Sequence, residues 1–442
     1  MSGTAIGLIG FGCLLAMLAI RMHIAMAMFI TGAGIYLVMN GGEAAALLYT
    51  MNNLVFARVS NYDLAVIPLF ILMGQFATHG GLSKALFKAA GTLIGHWRGG
   101  LAMASTAACA AFGAICGSSL ATAATMGQVA LPELRKAGYS GKLATATLAA
   151  SGTLGIMIPP SVPLVIYAVL TQESIGKLFM AAVIPGIIAA LGYIVVIAIL
   201  VRRDPSAGPA GKKARLSDMI KAQINIIPVM LVFLVVIVGI YGGWANPTEA
   251  ASIGAAACGI LAVVTGGMRA KGFMESIYGT AHATGMIFLI LIGADLLNSG
   301  LALSQMPNEL ATWVQASSLP PLMVLFSILL IYILLGCVMD SLAMILLTIP
   351  IFYPMVMGLE FFGMGVEDKS IWFGILALMV VEIGLVHPPV GMNLYVINKL
   401  AKDVPMKETA WGVMPFLASD FVRIIALVFI PTLSLGLVHW LK

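Results

Sequence analysis

Gly152-Thr-Leu-Gly155-Ile-Met-Ile158-Pro159-Pro160-Ser161-Val-Pro163 decides how this chain folds, because its pattern returns in the second half as Glu382-Ile-Gly384-Leu-Val-His387-Pro388-Pro389-Val-Gly391-Met-Asn393. Proline lacks an amide donor and disfavours helix at the residue before it. Each motif nevertheless sits inside an apolar run. The carbonyls freed at such a break need partners, since an unpaired backbone group in hydrocarbon costs several kcal/mol. A cation, a water or a neighbouring helix can serve. A simple hinge is the plain alternative, but each half also carries a second glycine-containing break: Gly117-Ser118-Ser119-Leu-Ala-Thr122 and Gly336-Cys-Val-Met-Asp340-Ser341.

The surroundings of these motifs are those of a membrane protein. Of 442 residues, 61% are hydrophobic and 9% charged, against roughly 25% charged in soluble domains; mean hydropathy is +1.04. An ordinary soluble enzyme, a disordered chain and a peripheral membrane protein are excluded. A net charge of +5, scattered along the chain, gives no basis for a nucleic-acid partner. The cysteines Cys13, Cys109, Cys116, Cys258 and Cys337 lie in apolar runs without CxxC or Cys/His spacing, so neither a disulfide framework nor a zinc site is expected. Residues 4–20 resemble a signal-peptide core, but no basic segment precedes them, and we read a retained first span.

Apolar runs predict crossings near 4–20, 24–40, 64–78, 178–201, 223–241, 247–265, 280–297 and 412–437, with proline-interrupted crossings near 143–171 and 370–397. Two more stretches, about 100–133 and about 320–358, break in the middle. Reading these two as re-entrant hairpins places nearly all basic residues on one face and only Arg58, Lys177, Lys369 and Lys442 on the other, with Arg423 inside the last span. This satisfies the positive-inside rule; full crossings would undo it. Both termini then lie outside, and the basic stretch 202–221 is a flexible cytoplasmic linker between halves. Trp97, Trp244 and Trp440 fall near span ends, as interfacial anchors do.

The halves match elsewhere too. Phe70–Gly74 pairs with Leu289–Gly293, Gly113–Ser118 with Gly336–Ser341, and Lys177 with Pro185 pairs with Lys407 with Pro415. With the hairpins entering from opposite sides, this is an inverted-topology repeat, which builds a midplane site reachable from either face. The predicted fold class is therefore an all-α integral membrane protein, an inverted-repeat ion-transporter-type fold with two re-entrant helical hairpins and two broken helices. Its expected parts are scaffold helices 1–63, a first repeat 64–201, the linker 202–221, scaffold helices 222–279 and a second repeat 280–442.

Hydroxyls, main-chain carbonyls and one carboxylate at hairpin tips suit a hard cation such as sodium. Asp340 and Glu382 lie in long apolar runs, where a central charge costs ~2.5–3.5 kcal/mol. Asp340 is the candidate sodium carboxylate; Glu382 is either that or a structural acceptor. His387 reads as a packed side chain before a proton carrier. The 28 methionines read as core filling.

At these residues the chain resembles the large membrane subunit of tripartite ATP-independent periplasmic (TRAP) transporters. The resemblance covers nearly the whole length and rests on Ile67-Pro68-Leu69-Phe70 with Gly74, Gly117-Ser118-Ser119, Gly155-Ile-Met-Ile-Pro-Pro-Ser161, Asn246-Pro247-Thr248-Glu249-Ala250, Met339-Asp340 and His387-Pro388-Pro389-Val-Gly391-Met-Asn393. It implies a sodium-driven elevator in the bacterial inner membrane, fed with an organic acid by a periplasmic substrate-binding protein and braced by a separate small four-helix membrane subunit. One sodium cage would use Ser118 and Ser119 with carbonyls of Gly155, Ile158 and Pro160. The other would use Gly336, Asp340 and Ser341 with carbonyls of Gly384, His387 and Pro389. Substrate would lie near Ser119, Thr122, Ser161 and Asn393. No cofactor is implied beyond sodium as coupling ion, and no enzymatic role: GxxxxGK[ST] and HExxH are both absent from the sequence. A stand-alone sodium/dicarboxylate symporter is the neighbouring alternative; an intramembrane enzyme and a channel are the more distant ones.

Overall fold

A computed structural model of the chain describes residues 2–317 and 319–440, so Lys442, expected on the outer side, lies outside the described residues. Among the described residues the regular structure is entirely helical. The apolar runs become α1 (Gly3–Ala19) and α2 (Ile24–Met39), then α3 (Ala44–Val59) and α4 (Val66–His79), joined at a 56° bend. After α5 (Leu82–Ile94), α6 (Gly100–Cys116) and α7 (Ser119–Lys136) enclose the first glycine break. The first proline break separates α8 (Gly141–Gly152) and the single turn α9 (Leu154–Met157) from α10 (Val162–Thr171). Then come α11 (Ile175–Arg203), α12 (Leu216–Tyr241), α13 (Pro247–Val264), α14 (Ala270–Ser304) and α15 (Met306–Ala316). The second glycine break lies between α16 (Pro321–Gly336) and α17 (Ser341–Met357), the second proline break between α18 (Val366–Val386) and α19 (Met392–Leu400). The chain closes with α20 (Met406–Phe429) and α21 (Thr432–Trp440).

Both stretches read as re-entrant are hairpins. The Leu101 amide, at the start of α6, donates to the Tyr139 hydroxyl just beyond α7 at 3.0 Å, so the two arms leave from and return to one level. At the base of the second hairpin, Gly358 after α17 lies against the Gln315 side chain of α15. Lys369 on α18 donates through Nζ to the Met357 and Leu359 carbonyls at 2.9 and 2.6 Å. A buried ammonium here satisfies carbonyls that end α17 and offsets its negative pole.

The 29-residue α11, about 43 Å long, shows that the hairpins are inverted. Gly99, at the base of the first hairpin, packs on Ile197 and Val201 near the C-terminus of α11. At the opposite end of α11, Lys177 pairs with Glu367, two residues before Lys369. The first proline break lies between these ends, with Met157 and Ile158 against Gly186. The halves also exchange parts: α10 packs on α17, and α19 packs on α7 and α8. Within this unit α18 is buried along its whole apolar window, the environment expected for a helix apolar on every side. Helix α12 leaves most of its apolar surface outward, and α11 an outward stripe of Ile187, Leu191, Val195 and Ile199.

Several ion pairs link chain ends at the two edges, while Asp420 and Arg423 pair in the interior. Arg135–Asp403 and His79–Glu275 lie on the basic edge; Arg58–Asp295, Lys177–Glu367 and His439–Asp368 lie on the other. Trp97, Trp244 and Trp440 are exposed.

Three features differ from the sequence reading. Helices α3, α5 and α15 lie outside the predicted spans. The predicted last crossing 412–437 is split into α20 and α21 at Ile430-Pro431. The linker is shorter and less free than its composition suggests: helix persists to Arg203 and resumes at Leu216. Part of the intervening segment is strapped to the first hairpin's base. Gly99 N–H donates to Gly208 O at 2.9 Å, Ser140 N–H to Ala207 O at 2.9 Å, and Gly211 N–H to Gly95 O at 3.1 Å.

Candidate functional site

At the first tip α6 stops because Gly117 turns left-handed (φ +64°), and its amide closes on the Gly113 carbonyl at 2.7 Å. Ser118 then caps α7, its Oγ accepting from the Ala121 amide at 3.4 Å. At the second tip Asp340 stands in the corresponding place, extended and preceding α17. Its carboxylate makes no capping hydrogen bond and faces a cavity, beside a helix N-terminus that favours negative charge. One tip therefore offers hydroxyls and the other a carboxylate.

Each tip meets the break of its own half backbone to backbone, and the residues at the contact are the repeated glycines. A Cβ built on Gly113 would fall 2.3 Å from Gly155 Cα; one on Gly384 would fall 2.5 Å from Gly336 Cα. Only hydrogen at Gly113 and Gly384 allows this approach, and a Cβ on Gly155 would instead strike Thr122 Oγ1 and the Ser118 carbonyl of the same tip. At the breaks Ile158 and His387 are extended, and Pro159-Pro160 and Pro388-Pro389 are cis. The Pro160 carbonyl lies against Gly117, and the Ser118 carbonyl and Thr122 Oγ1 against Gly155. Main-chain and hydroxyl oxygens thus crowd the first tip. At the second, the Gly384 carbonyl already accepts from the His387 amide at 3.1 Å, so one of its lone pairs is engaged.

The two tips share a cavity of about 320 Å³. Gly117, Ser118, Ser119, Asp340 and Ser341 line it from the tips, and Gln75 of α4 and Met286 of α14 from the opposite wall. Thr122, Ser161 and Asn393 do not line the cavity; they lie beside the first break, wholly enclosed. Their Oγ1, Oγ and Oδ1 atoms have no hydrogen-bond partner, although Asn393 Nδ2 donates to Ala149 O at 3.3 Å. Buried orphan oxygens are uncommon, and here they collect around a break already rich in carbonyls. That donor set, hydroxyl, amide and carbonyl oxygen with one carboxylate and no thiolate, fits a hard cation. His387 turns its ring to the Pro388 carbonyl and to Cys337 Sγ, as a packed side chain does.

A buried polar cluster behind the tips has fainter signals in sequence. Glu382 accepts from Ser119 Oγ across the halves at 3.5 Å. Asp420 and Arg423, one helical turn apart on α20, are buried 2.9 Å from each other, though aligned too poorly for a hydrogen bond. Tyr193 donates to Asp420 at 2.9 Å. The i,i+3 spacing of Asp420 and Arg423 in an apolar run was the available clue; Tyr193 offered none.

The model of the family described as tripartite ATP-independent periplasmic transporter, DctM component, matches residues 11–433. The chain belongs to this family. It is a large membrane subunit of the TRAP type, a multi-pass protein of the bacterial inner membrane. Among its relatives, the C4-dicarboxylate TRAP transporter large permease protein DctM of Pseudomonas aeruginosa is 34% identical over 87% of this chain and 88% of its own. The sialic acid TRAP transporter large permease protein SiaM of Vibrio cholerae is 31% identical over 85% of this chain and 86% of its own. The solved structure of the Alcanivorax borkumensis YdaH transporter shares the fold, with a TM-score of 0.61 at 16% identity over 90% of this chain and 89% of that one. Within this DctM-family chain the Asn246–Ala250 motif is a helix start. Asn246 Oδ1 accepts from the Glu249 amide at 2.8 Å and Glu249 Oε2 from the Asn246 amide at 2.9 Å, a reciprocal cap.

Proposed function

We propose that this subunit imports an organic acid by sodium-coupled secondary transport, moving a unit of two hairpins and two broken helices past a scaffold in an elevator cycle. The observation that carries the reading is that both tips meet at one interior cavity, each packed backbone to backbone on the proline-broken helix of its own half. The first cage would be formed by Ser118, Ser119 and the carbonyls of Gly155, Ile158 and Pro160. The second would be formed by Gly336, Asp340, Ser341 and the carbonyls of Gly384, His387 and Pro389. Helices α7 and α17 begin at the shared cavity. Helix N-termini favour negative charge and can hold a carboxylate without lysine or arginine. Relatives named for C4-dicarboxylates and for sialic acid share that group, so the substrate class is a carboxylate, with Ser119, Thr122, Ser161 and Asn393 nearest the tips. A periplasmic binding protein would deliver it and a small four-helix membrane subunit would brace the scaffold. Each sodium charge moving down 100 mV contributes ~2.3 kcal/mol, enough for accumulation when sodium outnumbers the anion's charge.

The test is uptake of a labelled C4-dicarboxylate or sialic acid into proteoliposomes holding this chain with its small subunit. Uptake is expected only with an inward sodium gradient and a loaded binding protein present. Uptake indifferent to sodium overturns the coupling; sodium-driven uptake without the binding protein identifies a stand-alone symporter.

A further inference from the structure

Glu382 is fully buried on α18, two residues before Gly384. Its Oε1 accepts from the hydroxyl of Ser119, the first residue of α7 at the tip of the other half, and its Oε2 has no partner. Asp420 and Arg423 of α20 lie within electrostatic range of it. Asp420 is held in turn by Tyr193, whose hydroxyl lies 3.2 Å from Thr153 Oγ1 at the junction of α8 and α9. Two sets of buried polar contacts thus lie behind the tips: Ser119 with Glu382 across the halves, and Asp420 with Tyr193 and Thr153 from α20 to the threshold of the first break.

A serine hydroxyl has one hydrogen and two lone pairs. When the hydrogen goes to Glu382, both lone pairs remain for another partner and the hydroxyl rotor is fixed. A cation needs that orientation; a free rotor would have to be ordered at each binding event. We propose that Glu382 is a positioning residue for the opposite half's tip: it takes the Ser119 hydrogen so that Ser119 Oγ faces the bound cation as an acceptor. The inference rests on the sodium reading of the first tip given above. It adds a specific link between the halves, by which one half's broken helix tunes the ion cage of the other.

Sodium titrations of uptake by the complete reconstituted system test it, with Ser119→Ala, Glu382→Met, Glu382→Asp and the two double variants compared. Methionine fills the volume without an acceptor oxygen; aspartate keeps the carboxylate but withdraws it by one methylene, a gentler change for folding. Ser119→Ala is expected to raise the sodium concentration for half-maximal uptake about tenfold, a loss of roughly 1.4 kcal/mol, and each Glu382 variant to raise it several-fold. In the Ser119→Ala background the Glu382 changes should add nothing, because coupled sites are not additive. Multiplying effects in the double variants, or Glu382 variants that lower thermal stability while leaving sodium dependence at wild type, overturn the positioning role. An unchanged sodium dependence in Ser119→Ala alone instead overturns the sodium reading of this tip.

Discussion

Replacing Gly113 by alanine tests whether the glycine contacts hold the ion-binding geometry. The added methyl would stand 2.3 Å from Gly155 Cα and 2.8 Å from Gly155 N. Unbonded carbons settle at about 3.5–4.0 Å, so hairpin and broken helix must part by more than about 1 Å. Functional constellations tolerate displacements of about 0.5 Å, and overpacking of this kind costs about 1–3 kcal/mol. If that cost falls on the closed arrangement of tip and break, apparent sodium affinity drops by about 5–150-fold. Gly384→Ala, with its methyl 2.5 Å from Gly336 Cα, should behave alike at the second tip. The control is Gly34→Ala in α2, where no atom lies within 4 Å of the new Cβ and helix propensity improves by about 0.5–1 kcal/mol. The assay is sodium-titrated uptake in proteoliposomes, with thermal midpoints in detergent. Wild-type sodium dependence in both Gly113→Ala and Gly384→Ala would refute the argument that backbone contact at the repeated glycines sets the cages.

Asp340→Ala should insert normally and lose sodium-driven uptake; normal uptake at limiting sodium would remove Asp340 from the second cage. Lys369→Met leaves the Met357 and Leu359 carbonyls without their ammonium. The thermal midpoint should fall by an amount equivalent to about 1–3 kcal/mol while the sodium requirement stays put. Arg58 and Asp295 form a two-armed, largely buried pair on the outer edge. Either single truncation should therefore destabilise the chain more than the double change Arg58→Met with Asp295→Leu, as read by thermal denaturation. Hydrogen exchange should find the Gly99, Ser140 and Gly211 amides protected and those of Lys212–Arg215 fast; uniformly fast exchange would mean the strap is not closed in solution.

Much of this architecture is legible in the primary sequence because the bilayer punishes broken backbone. Pro159-Pro160, Pro388-Pro389, Gly113 and Gly336 stand out against apolar runs, and their repetition declares the two halves. The distribution of lysine and arginine then orients the hairpins, since charge is excluded from the core. What stays hidden has a different origin. Helix α3 is as long as α2 but carries Asn52, Asn53 and Arg58 and is less apolar, while α5 and α15 are short, so hydropathy windows tuned to crossings pass over all three. The strap is held by main-chain bonds such as Gly99 to Gly208, which carry no side-chain signature. The Ser119–Glu382 contact joins residues 263 apart; sequence marks both as polar in apolar surroundings but not as neighbours. Orphan oxygens on Thr122, Ser161 and Asn393 become visible only once every nearby partner is placed.

The exchange of α10 and α19 between halves makes the two copies interdependent. Each half sends its short post-break helix to shield the other's hairpin, so a lone half would leave that hairpin uncovered in the lipid. Neither half is therefore a self-contained unit: excising or loosening one short post-break helix strips cover from the hairpin of the opposite half, so damage to one copy of the repeat is felt first in the other.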